Sequence, residues 1–164
     1  MDMNTQDVLE YGHRTFLDAV DGLPHKDWHS PTACGVWSVK DIVAHIASYE
    51  LLLIDVIHQL LEDEELTPTL DQLFELGPLG FNDIEVDARQ GMSEAEVVVE
   101  YEAAHVRAMA LILHFSEEKC HEVGTLPWYG PEYAFDDFIV YSYYGHKREH
   151  SAQIGVYRDQ LRAD

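Results

Sequence analysis

In "YYGHKREHSAQIGVY", residues 143–157, two histidines stand four apart, His146 and His150. At about 100° per residue, positions i and i+4 of a helix lie one above the other, so both imidazoles can reach a single cation. On the same wheel Phe135, Ile139, Tyr143, His146, His150, Ile154, Tyr157 and Leu161 share one apolar side, while Lys147 and Arg148 turn away. The pair therefore points into a core. A buried imidazole without partners costs on the order of 1–3 kcal/mol, and a divalent ion bound by both would satisfy them together. The competing reading is two core histidines, each satisfied by a carbonyl or carboxylate.

Two ligands make a poor site, and His45 in "DIVAHIAS" is the best third. It flanks the stripe of Ile42, Ile46, Tyr49 and Leu53. His13 and His105 also lie towards apolar faces, whereas His25, His29, His58, His114 and His121 read as surface residues. Three neutral imidazoles leave the ion fully charged with an open position, as in catalytic rather than structural sites. Water at reduced pKa, or a thiol bound as thiolate, could occupy that position. Zinc and nickel both suit imidazole. Glu149 and Tyr143 are near in sequence, but Glu149 projects about a quarter turn from the histidines. "HKREH" lacks the Glu of an H-E-x-x-H metalloprotease. A di-metal carboxylate bundle needs Glu-x-x-His on two helices; Glu102 with His105 gives one, Asp55 with His58 imitates another, and the last helix has none.

Four helices must carry these residues. Apolar periodicity places them at about 5–22, 38–64, 93–115 and 134–161. Ser38 with Asp41 and Ser93 with Glu96 are capping-box starts. "DGLPHKDWHSPTACGVW", "LTPTLDQLFELGPLGFNDIEVDARQG" and "SEEKCHEVGTLPWYGPEY" read as long connections, the second a crossover with at most one short helical turn. Strand alternation is absent. The expectation is an all-α single domain over residues 1–164, a four-helix bundle whose long links permit a non-meander order.

Composition narrows the partners. With 31 acidic and 10 basic residues the formal charge is −21, which disfavours nucleic acid and anionic membrane surfaces. No apolar run is long enough to span a bilayer, and the N-terminus lacks signal-peptide character. A cytoplasmic location is expected. Cys34 and Cys120 are far apart and give neither a disulfide framework nor a cysteine zinc site.

"GVWSVKDIVAHIASYE" resembles the second-helix start of the DinB-like four-helix-bundle superfamily, where a Trp-Ser entry leads to one ligand histidine. "HKREHSAQIGVYRDQL" is similar to its last helix, where an H-x-x-x-H pair precedes a Gln-Ile step. The resemblance implies an up-down-down-up bundle, often a homodimer, with a divalent metal on His45, His146 and His150. Relatives include bacillithiol S-transferase and mycothiol-dependent maleylpyruvate isomerase. They imply a metal-dependent thiol S-transferase or related enzyme, with a low-molecular-weight thiol as cosubstrate. The alternative is a non-enzymatic stress-related or ligand-binding bundle.

Overall fold

The structure, a computed structural model, describes residues 4–164. Helix α1 is Thr5–Val20, α2 Val39–Leu61, α3 Pro68–Ala88, α4 Glu94–Ile112 and α5 the short Glu117–Cys120. The last long helix comprises α6 (Phe135–Ile139), a π turn (Val140–Gly145) and α7 (His146–Ala163). Among the described residues β-structure amounts to two isolated bridges, so the all-α expectation holds. No helix among them is long and apolar enough to cross a membrane.

Local chemistry sets the helix starts. Asn4 accepts from the Asp7 amide, and both expected capping boxes form, Ser38 with Asp41 and Ser93 with Glu96. Helix α2 ends at Leu61, earlier than expected, where Glu62 adopts a left-handed conformation at φ 54°.

The connection after α2 differs most from expectation. It is mainly helix α3, bent where Gly77 takes φ 70° just before Pro78. Proline cannot donate to the preceding turn and restricts its neighbour, so the Gly-Pro step masks two helical halves. Thr67 gives α3 no side-chain cap. Asp55 of α2 supplies it instead, its Oδ2 accepting from the amides of Thr69 at 2.6 Å and Leu70 at 3.0 Å. Asp55→Ala is therefore expected to cost about 1–2 kcal/mol. Urea unfolding measures that loss, and faster amide exchange at Thr69 and Leu70 locates it; unchanged exchange there would count against the cap.

Helix α1 packs mainly on α7, and α2 on α4 and α3. The core forms two apolar clusters, one around Leu9, Leu53, Ala108 and Tyr143, the other around Phe16, Ile46, Tyr101 and Ile154. Between them in sequence, on each of α1, α2, α4 and α7, lies a polar residue: His13, Glu50, His105 and Lys147. Glu50 and Lys147 form an ion pair. His105 Nδ1 lies 3.5 Å from Glu50 Oε2, and the His13 ring stacks on His105 at 3.7 Å.

Lys147 thus corrects the helical-wheel reading. It is 2 % exposed and sits on the core line Tyr143–Lys147–Ile154, with His146 beside that line and Leu161 at the surface. The π turn explains it. Each π turn accommodates an extra residue relative to α geometry, so a wheel drawn through residues 135–161 loses phase at Val140–Gly145.

Candidate metal centre

His45 is carried by the second turn of α2, and His146 opens α7 directly after the π turn. Their Nε2 atoms lie 2.9 Å apart, and His146 Nε2 lies 3.0 Å from His150 Nε2. The three ligand atoms fall within 4.8 Å of one another, so the structure brings the expected set together. His45 and His150 are buried and His146 is half-buried.

The outer nitrogens decide what these contacts mean. His150 Nδ1 lies 2.9 Å from Gln153 Oε1, an acceptor, so the ring proton sits on Nδ1. His146 is hydrogen-bonded to the backbone of Ser142 within the π turn, an interaction that favours its protonated ring and so uses the carbonyl. Each proton held on an outer nitrogen leaves Nε2 with a lone pair.

Burial, reinforced by the other two rings, lowers the pKa of His45 to about 2. Burial first, then His150 and Lys147, lowers His146 to about 3. Burial also lowers His150. At neutral pH all three rings are uncharged, so the 3.0 Å contact between His146 and His150 sets lone pair against lone pair. A cation at that point would resolve the contact. Zinc–nitrogen bonds of about 2.0–2.1 Å in tetrahedral geometry place ligand nitrogens roughly 3.3 Å apart, close to the spacing here. His45 lacks an outer partner, its Nδ1 being buried and unpaired, so packing alone orients this ring. Trp37 lies against it at 4.7 Å between centroids and Tyr49 at 4.8 Å.

Beside the triad an open cleft of about 470 Å³ is lined by Ala33, Cys34, Glu149, Gln153 and Val156. Gln153 therefore touches both the cleft and His150. Burial pushes the Cys34 and Cys120 thiols up, so neither is a ready thiolate.

Other sequence candidates lie elsewhere. His13 Nδ1 meets Tyr101 Oη at 2.9 Å, and His105 joins the Glu50 layer. His25, His29 and His114 are exposed as expected and His121 is half-buried, but His58 is buried, held by Asp63 Oδ2 at 2.7 Å. The di-metal carboxylate arrangement is absent among the described residues: Glu102 is exposed, Asp55 caps α3 and His58 is paired with Asp63. Trp37, Gln153, Glu50 and Lys147 were given no role by sequence reasoning. Two of them stand as motif letters beside the three histidines, so their positions were visible but their contacts were not.

Tyr143 donates its hydroxyl to the Tyr49 carbonyl at 2.8 Å and is fully buried. It is a strut between α2 and the last helix rather than a proton donor.

No curated protein and no solved structure matches the chain. The family model described as the mycothiol maleylpyruvate isomerase N-terminal domain matches residues 9–133, well over half of the chain. His45 lies inside that stretch, and His146 and His150 follow it. The chain belongs to this family, a DinB-like domain.

Proposed function

We propose that this member of the mycothiol maleylpyruvate isomerase N-terminal domain family holds one divalent ion, zinc or nickel, on His45, His146 and His150. In this reading it is an enzyme that uses the ion in reactions of a low-molecular-weight thiol with an electrophilic small molecule. The observation that carries the reading is the lone-pair contact between two uncharged imidazoles, the half-buried His146 and the buried His150, with His45 aimed at the same point. The family's name, which joins a thiol to an isomerase, supports the thiol as cosubstrate.

A bound ion would supply Lewis acidity and favour the thiolate form of a ligand at its open position. The protein's own side chains do the rest. Gln153 and the Ser142 backbone fix two ring tautomers, so no proton has to leave the Nε2 of His150 or His146 before coordination. Trp37 and Tyr49 wall the centre with aromatic surface. The cleft at Glu149 and Gln153 gives the body of a thiol or electrophile a place beside the ligands. The raised thiols of Cys34 and Cys120 support a reacting sulfur that comes from outside the chain.

The test is turnover of metal-loaded protein with mycothiol, bacillithiol and glutathione, each paired with an electrophile, followed by loss of free thiol. Thiol consumption that disappears in His150→Ala is expected. Stoichiometric metal without turnover of any thiol would instead favour a ligand-binding bundle. Gln153→Ala is expected to keep the ligands yet weaken metal affinity about 10–100-fold, because outer partners orient imidazoles at that scale. A competition titration against a chelator measures this, and an unchanged affinity would remove Gln153 from the centre.

A further inference from the structure

We propose that His25, His29 and Glu94 form a second site for a divalent transition-metal ion, at the surface and independent of the three-histidine centre. "HKDWH" repeats the four-residue spacing of "HKREH", but on a 3-10 turn, His25–Asp27, and the residues after it. There His25 Nδ1 contacts Glu94 Oε1, and His29 Nε2 lies 3.1 Å from Glu94 Oε2. The ligand atoms of all three lie within 4.8 Å of one another. Two imidazoles and one carboxylate form a donor set that binds zinc in proteins with water completing the shell.

The backbone beneath these exposed side chains is anchored, which separates them from a chance surface cluster. Trp28, between the histidines, is buried and donates its indole N–H to the Leu23 carbonyl at 3.1 Å. Tyr157 of α7 donates to the Asp27 carbonyl at 3.0 Å. Glu94 is the first residue of α4 and stands inside the Ser93–Glu96 capping box.

One buried residue ties the two halves together. The Lys40 amide donates to the Trp28 carbonyl at 3.1 Å, while its ammonium donates to the carbonyls of Arg89, Gln90 and Met92 at 2.9–3.0 Å. The α1–α2 connection and the chain entering α4 are thereby held in register before any ion binds, which lowers the ordering cost of binding. An ion there would clip the α1–α2 connection to α4. A net charge of −21 favours cation uptake. The positive end of α4 and solvent exposure work against it, so this site is expected to be weaker than the interior one.

The test uses the full chain, stripped with chelator, reloaded with Zn²⁺ and titrated by calorimetry with elemental analysis. Wild type is expected to take two zinc ions per chain, His29→Ala one, Glu94→Gln one, His146→Ala one, and His29→Ala with His146→Ala none. In His146→Ala, added zinc is expected to raise the melting temperature, and His29→Ala should abolish that rise. Zinc stoichiometry that is identical in wild type and His29→Ala would overturn the second site, leaving a hydrogen-bonded triad only. Failure of the interior reading looks different: His146→Ala would then match wild type while His29→Ala still lost an ion.

Discussion

His146→Ala is expected to leave a folded protein that no longer retains an ion at the interior centre through desalting. His146 Nε2 is the shared neighbour, 2.9 Å from His45 and 3.0 Å from His150, so its removal leaves two rings that compete poorly with water and buffer. The effect should exceed the roughly 10–100-fold cost of losing an outer partner such as Gln153. His45→Ala and His150→Ala should act alike, whereas His58→Ala should not change metal content, its ring being held by Asp63. The His146 ring is half-buried, so truncation to Ala opens little core. Elemental analysis beside circular dichroism separates loss of metal from loss of fold. Retention of the interior ion by His146→Ala would end the three-histidine reading.

The pH dependence follows from the same burial. His45 and His146 have pKa values lowered to about 2 and 3. In the folded protein they stay neutral well below the ordinary histidine value of about 6.5, so proton competition for the ligands begins only at lower pH. The unfolded chain takes up protons as pH falls through about 6.5 while the folded rings do not. Stability is therefore full above that value and declines with acid towards the folded pKa values. Loss of metal in mild acid should thus track unfolding rather than titration of free imidazoles.

How much of this was legible depends on what each residue needs. Both capping boxes were readable, because a Ser and an acidic residue three apart act within one turn. That His45, His146 and His150 come together was readable from helix spacing and from the resemblance of their surrounding stretches. Helix α3 was hidden by Gly77-Pro78, which reads as a break but here joins two helical halves, and by a cap that arrives from Asp55, fourteen residues away from Thr69. Lys147 was misplaced because a helical wheel assumes 3.6 residues per turn through a π segment. Its partner Glu50, on another helix and about a hundred residues distant, could not be inferred from any local pattern.

That pair carries the last expected result: Lys147→Met should destabilise the protein by about 3–5 kcal/mol, the range for breaking a buried pair by removing one partner. Glu50 is fully buried and Lys147 nearly so. The ammonium also lies 5.3 Å from the Tyr101 ring centroid, where cation–π attraction contributes. Burial alone would push the Glu50 carboxyl up, but Lys147 and His105 together hold it down, at about 2. Without Lys147 the carboxylate loses its main counter-charge among the apolar clusters, and taking up a proton only partly relieves the cost. Removing both charges is different, since a buried pair replaced by neutral side chains of similar volume is often neutral or stabilising. Glu50→Gln combined with Lys147→Met should therefore recover most of the stability lost by Lys147→Met alone. Urea unfolding of the two single variants and the double variant measures the coupling, and additive losses would show that the charges do not act as a pair. The pair joins α2 to α7, the two helices that also carry His45 and the His146–His150 pair. A double variant of restored stability but weakened zinc affinity is the expected outcome, because the charges fix how α2 and α7 face each other while neutral replacements only fill the space.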